Sequence, residues 1–218
     1  IQTKEVKEIR IMDSQKDFFA SEVLPSLKKH AKLDIDEKVK DTIYSPELNA
    51  TVYLDKVDNM VVGNILFAYE GIEINPFSSE QVKTDHRKIL IRDVEKEKKI
   101  ISLLEKSKFK VKDERIILEE ELIFDFIEMG LPKLQKHCDI YYSESFKKIK
   151  LVKPESFSSK VKLNTELDML EFNFDLEGIT SQELDQLFSA LKEKKKYYKL
   201  KDGSFLSLES KELEDIAG

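Results

Sequence analysis

Tyr197-Tyr198-Lys199-Leu200-Lys201-Asp202-Gly203-Ser204-Phe205-Leu206-Ser207-Leu208 sets two short apolar-alternating runs on either side of Asp-Gly. That dipeptide tolerates the positive φ angles a two-residue turn needs, so the stretch predicts a tight β-hairpin. A basic run, Lys194-Lys195-Lys196, leads into it. The same phrase occurs earlier as Phe109-Lys110-Val111-Lys112-Asp113-Glu114-Arg115-Ile116-Ile117-Leu118. The echo suggests a duplicated unit.

Other pieces recur at one spacing. Leu24-Pro25-Ser26-Leu27-Lys28-Lys29-His30 returns as Leu131-Pro132-Lys133-Leu134-Gln135-Lys136-His137, 107 positions on. Glu70-Gly71-Ile72 returns as Glu177-Gly178-Ile179 at the same spacing, and Phe67 maps onto Phe174. The two hairpins lie only 89 positions apart, so the first unit carries 18 extra residues, a length the polar segment around Ser78 to Arg92 accounts for. Each unit reads as a helix, several strands, a second helix and a hairpin. The expected fold class is α+β: two related α/β units, at about 8–118 and 119–208, with helices packed on mostly antiparallel sheets.

Within that frame the pattern predicts a strand over Glu8 to Met12. A helix follows, capped at Asp13 and Ser14 with Asp17 in capping-box position, and carrying Phe19, Val23, Leu27 and Ala31 on one face. Pro25 should kink that helix or start a new turn. Lys32 to Val39 reads as a strand. Leu48 to Val57 and Met60 to Tyr69 read as two strands joined at Asp58-Asn59, the second nearly all apolar and so central and covered. Ile72 to Ile74 is a further short strand. Asp93 caps a helix from Val94 to about Lys106, and a second long helix covers Glu119 to His137. In the second unit, Val161 to Leu163 and Met169 to Leu176 read as strands. Thr180-Ser181-Gln182-Glu183 then opens a helix whose apolar stripe is Leu184, Leu187, Phe188 and Leu191.

Composition bounds the chemistry. The 218 residues are 40% hydrophobic and 37% charged, which fits a globular chain with a heavily charged surface. The net charge of -6 argues against a dedicated nucleic-acid domain, although local basic patches remain. Cys138 is the single cysteine, so no internal disulfide forms; with no signal peptide, a cytoplasmic setting is expected. The longest apolar stretch, Met60 to Tyr69, is too short to span a bilayer, so no membrane partner is expected. The chain opens on Ile1 and stops inside a helical pattern at Ala217-Gly218, which reads as one region, 1–218, excised from a longer protein.

Three groups of residues carry a family resemblance. The first is Asp175-Leu176-Glu177-Gly178-Ile179, followed by a helix ending in Lys194-Lys195-Lys196-Tyr197-Tyr198 and then Leu200-Lys201-Asp202-Gly203-Ser204-Phe205-Leu206. The second is Val52-Tyr53-Leu54-Asp55 with the Phe67 strand and Ile74-Asn75-Pro76-Phe77, and the third is Ile91-Arg92-Asp93 leading a charged helix. From about Phe18 to Leu208 the chain resembles the bacterial SWI/SNF helicase-associated domain. The resemblance implies a non-catalytic accessory region lying ahead of an ATP-driven DNA translocase motor, which it positions or regulates. The implied partner is that C-terminal motor; DNA or RNA is the further partner that a lysine cluster at Lys194 to Lys199 would serve. ATP and magnesium belong to the motor, so no cofactor is expected in this fragment. None of the six glycines builds the phosphate loop that ATP binding needs, and Asp113-Glu114-Arg115-Ile116, superficially a helicase box, occupies a hairpin turn. Two other functions fit the same residues: a protein-docking module without nucleic-acid contact, and a free-standing enzyme of another class.

Candidate sites are few, and no catalytic, cofactor or metal residues are assigned. His30 and His137 occupy equivalent helix C-termini, where a cationic side chain is structurally useful, and neither they nor His86 shows metal-ligand spacing. Cys138 beside His137 points elsewhere on a helix and reads as a buried thiol. Glu95 to Lys99 alternates in sign and reads as a solvated face. What remains is Lys194, Lys195, Lys196 and Lys199 with Tyr197 and Tyr198: cations to neutralise phosphates and rings to stack on bases, or to pack the hairpin. Lys147, Lys148, Lys150 and Lys153 around Phe146 form a weaker basic patch.

Overall fold

Contacts among the residues described by the computed structural model, 9–32, 34–79, 88–152, 158–164, 169–175 and 181–209, divide the chain into two units, Ile1–Tyr142 and Ser143–Gly218. The first opens with a 3-10 turn, Asp13–Gln15, and helix α1, Lys16–Phe18. A π-turn, Phe19–Val23, follows, and then α2, Leu24–His30. Pro25 lies in the first turn of α2 and has no N–H to give the carbonyl four residues back, which is where the helix changes pitch. The wider turn also rotates the buried face. Ala20 and Ser21 are buried, whereas Leu27 of the expected stripe is 41% exposed.

Two expected strands are absent here. Residues 9–12 lead directly into the 3-10 turn, and Asp17, instead of closing a capping box, accepts the Leu90 N–H at 3.0 Å. Among the described residues of Lys32 to Val39, Asp36 accepts the Lys38 N–H at 2.8 Å and so caps α3, Glu37–Lys40. A side-chain cap outweighs two-residue alternation over so short a run.

The sheet elements follow: β1 (Ile43–Tyr44), β2 (Asn49–Val57), β3 (Met60–Tyr69), β4 (Ile72–Ile74) and β5 (Ile89–Leu90). Helix α4, Val94–Lys106, starts where expected, with Asp93 accepting the Lys96 N–H at 3.0 Å. After it come β6 (Lys110–Lys112), β7 (Arg115–Leu118), α5 (Glu120–Asp125), a second π-turn (Phe126–Gly130), α6 (Leu131–Leu134) and β8 (Asp139–Tyr142). Strands β6-β7-β3-β2-β8 form one sheet, with β4 added on β3. Its pairings are antiparallel except β2 with β8, which run parallel with Thr51 opposite Asp139 and Tyr53 opposite Tyr141. β1 and β5 form a separate parallel pair.

β3 is central, as its apolar run predicts, but only one face is fully buried. Val61, Ile65, Phe67 and Tyr69 are at most 1% exposed, while Met60 and Asn64 on the alternate face are exposed and Leu66 is half-buried. Val52, Leu54, Ile116 and Leu118 on the neighbouring strands are buried as well, as are Ile100 and Leu104 of α4 and Ile123 and Phe124 of α5.

The second unit contains α7 (Glu144–Lys147), β9 (Leu151–Val152), β10 (Ser158–Asn164) and β11 (Met169–Asp175). It continues with α8 (Ser181–Lys192), β12 (Tyr197–Lys199) and β13 (Phe205–Ser207). β10 and β11 pair antiparallel, and β13 pairs antiparallel with β12 and parallel with β9. Thr180 of the expected capping box lies outside the described residues. Helices and mixed sheets make the fold α+β.

Local landmarks recur along the chain. The π-turns at Phe19–Val23 and Phe126–Gly130, each followed by a Leu-Pro helix start, lie 107 positions apart. So do the capped short helices α3 and α7, with caps at Asp36 and Ser143.

Candidate functional site

Helix α8 packs Leu187, Ala190 and Leu191 against Leu206 and Leu208 of the hairpin, with Leu184, Phe188, Tyr198 and Leu200 around them. This is the predicted stripe, and it fixes which side of the hairpin faces the helix. The helix stops in a left-handed residue, Lys194, at φ 54. Lys194 and Lys195 donate their N–H groups to the carbonyls of Leu191 (2.9 Å) and Ala190 (3.0 Å). A lysine in that conformation is tolerable because the reversed hydrogen bonds satisfy carbonyls the helix would otherwise leave open. The same ending closes α4, where Lys108 has φ 67 and Phe109 donates to Leu104 at 3.1 Å.

The hairpins differ from expectation in detail. Asp113 and Glu114, with φ 49 and 61, form the two-residue turn between β6 and β7. The Asp-Gly hairpin instead closes through a three-residue loop, Lys201 to Gly203, in which Leu200 donates to Ser204 at 2.8 Å and Gly203 to Leu200 at 2.9 Å. Only Gly203 is left-handed, at φ 84. The reason is Asp202, whose carboxylate accepts both the N–H and the hydroxyl of Ser204, at 2.9 and 2.5 Å. Those bonds hold its pKa below the usual aspartate value. Their stabilisation is present above the ordinary pKa, near 4, and is lost as pH falls through the lowered folded value. Asp202→Ala is expected to cost under about 1 kcal/mol at neutral pH, because the loop is solvated. Melting curves of variant and parent should converge in strong acid; a gap that stays constant with pH would remove the carboxylate from the account.

The six candidate contact residues are brought together but divided in role. Lys194, Lys195 and Lys196 are exposed at the end of α8, with Lys195 paired to Glu193 at 2.8 Å. Tyr197 meets the buried Phe205 edge-on, with centroids 5.2 Å apart. The Tyr198 hydroxyl donates to Gln186 at 2.8 Å, and burial, then Glu183, raises its pKa. Lys199 is half-buried in β12. Both tyrosines are thus engaged in packing the hairpin. Beneath them Glu183, 3% exposed, accepts the Lys201 N–H at 3.2 Å and ties the loop to the helix. In the weaker patch Lys147 pairs with Glu144 at 2.6 Å and Phe146 is buried; Lys153 lies outside the described residues.

His30 ends α2 and His137 follows α6, whereas His86 lies outside the described residues. The Cys138 thiol, near Leu134 O at 3.4 Å, is pushed up to about 12 by burial and then by Asp139, which leaves it protonated and a poor nucleophile. Among the described residues no group of three or more His, Cys, Asp or Glu side chains could hold a metal. None of the helices they form is long and apolar enough to cross a membrane.

A buried polar cluster escaped the sequence reading. Glu97, inside the run expected to be a solvated face, is 4% exposed. Its Oε1 accepts from the Tyr69 hydroxyl (2.6 Å) and Arg92 Nε (2.9 Å), and its Oε2 from the other arm of the guanidinium at 2.5 Å. Tyr69 in turn accepts the Asp93 N–H at 2.9 Å, and Ser21 bridges Leu90 O and Arg92 N. Burial, and after it Glu97, holds the Tyr69 phenol well above its ordinary pKa. The signal was present: Glu97, Ile100 and Leu104 share the apolar face of α4 at i, i+3 and i+7.

The family model described as bacterial SNF2 helicase associated matches residues 1–218. No curated protein and no solved structure matches the chain.

Proposed function

The chain belongs to the bacterial SNF2 helicase-associated family, and from that premise we propose that it is a non-catalytic accessory region which positions or regulates an ATP-driven translocase motor. The observation that carries this reading is the match over all 218 residues. The proposed contact surface is the cationic end of α8, Lys194, Lys195 and Lys196 with Lys199, set against the phosphate backbone of DNA or RNA. Residues 192–201 hold six lysines and one glutamate in a chain of net charge -6, so the concentration of charge is local. Tyr197 and Tyr198 act by holding the hairpin on α8, because their rings and hydroxyl already have partners within the unit. A tandem duplication is part of the same reading, supported by the π-turns and caps that recur 107 positions apart.

The test is duplex and single-stranded DNA binding by this chain as salt is raised, for the parent and for Lys194→Glu/Lys195→Glu/Lys196→Glu. The triple reversal should weaken binding by at least about tenfold near 0.1 M salt and flatten the log–log salt slope by about 2–3. Unchanged DNA affinity overturns the nucleic-acid contact and leaves the motor as the surface's partner. Steady ATP turnover by this chain alone overturns the accessory reading.

A further inference from the structure

Between the C-terminal end of α4 and the second π-turn lies a cavity of about 280 Å³. Leu103, Leu122, Phe126 and Met129 give it an apolar interior, and Lys106, Lys108 and Lys133 stand around it against a single carboxylate, Asp125. Met129 is 49% exposed, a large apolar side chain left on the surface. The floor is closely built. A Cβ at Gly130 would come within 2.6 Å of Ser107 Oγ and 2.7 Å of the Phe126 ring, so glycine lets the π-turn approach α4. The π-turn is itself a break in the helix of the kind that often marks a site of use.

We propose that this groove docks a short acidic segment of a partner protein, which inserts an apolar side chain over Met129 while its carboxylates meet Lys106, Lys108 and Lys133. At about 280 Å³ the cavity falls just below the range for ligand sites, about 300–1,000 Å³, which suits an anchoring side chain better than a cofactor. Its surrounding charge is net cationic in a chain that is net anionic, so the complementary partner is acidic. Nucleic acid fits poorly, since Phe126 is 2% exposed and offers no ring for a base to stack on. Met129 suits an adaptable apolar contact. The groove belongs to the first unit and shares no residue with the lysines at the end of α8.

The probe is a fluorescein-labelled, helix-forming peptide with Leu and Phe at i, i+3 and i+4 and glutamates elsewhere, titrated with the full chain and followed by anisotropy. Saturable binding is expected, weakening as salt is raised. Met129→Glu and, separately, Lys106→Glu/Lys133→Glu should each weaken it by at least about tenfold. All three positions are at the surface, and circular dichroism verifies that the variants fold. A peptide with lysines in place of the glutamates should not bind. Equal binding of the lysine peptide, no saturation, or indifference to both variants overturns the proposal. Self-association of the chain that Met129→Glu abolishes also overturns it, by assigning the groove to a second copy.

Discussion

Arg92→Ala is expected to lower the unfolding free energy by about 3–5 kcal/mol, the cost of leaving one member of a buried ion pair uncompensated. The Glu97 side chain is 5% exposed and the Arg92 side chain 30%, and the guanidinium grips both carboxylate oxygens. Without it, Tyr69 alone faces the charge. Urea titrations of parent and variant at neutral pH measure the loss directly. Arg92→Met combined with Glu97→Leu should recover only part of the loss: it removes both charges from the interior, but leaves the buried Tyr69 hydroxyl without the acceptor that Glu97 supplies. A penalty below about 1 kcal/mol for Arg92→Ala would mean water reaches the pair and that it behaves as a surface bridge.

Phe67→Ala should cost about 3–5 kcal/mol as well, by a different route. Phe67 has no exposed surface, and it sits in β3 opposite Ala50 on one side and Ile74 on the other. Truncation leaves a cavity in a core whose neighbours are held by two ladders and cannot collapse into it. Leu66, one residue earlier, points to the opposite face and is half-buried, so Leu66→Ala should cost under about 1.5 kcal/mol. Similar losses at 66 and 67 would mean that something covers the second face of the sheet.

What the sequence made legible follows from the range of the interactions involved. Asp93, β2, β3 and the Asp113-Glu114 turn were readable because a cap, an alternation and a two-residue reversal act within a few positions. Residues 9–12 and Lys32 to Val39 misled for the same reason, being too short for alternation to outweigh a neighbouring turn or cap. Glu97 lies in a run whose alternating charges read as a solvated face, and Tyr69, the partner that shows it to be buried, lies 28 positions away. The candidate site divides likewise. The cluster Lys194 to Lys199 was visible as composition, whereas the engagement of Tyr197 and Tyr198 depends on Phe205 and Gln186 and became visible only once the hairpin was seen against α8.

The parallel pairing of β2 with β8 has a consequence for how the chain is made. Strands β2, β3, β4, β6 and β7 are complete once Leu118 has been synthesised, and each pairs with a neighbour already present. β8, at Asp139–Tyr142, arrives only after α5, the π-turn and α6 have followed. At about 5–20 residues per second, the ribosome leaves the edge of β2 without its partner for roughly one to five seconds. That edge carries Tyr53 and Val57 among its exposed side chains, a strand that could template pairing with another nascent chain. The last strand to join this sheet therefore guards its translation: truncation before Asp139 should yield a protein that aggregates as it is made, even with most of the first core in place.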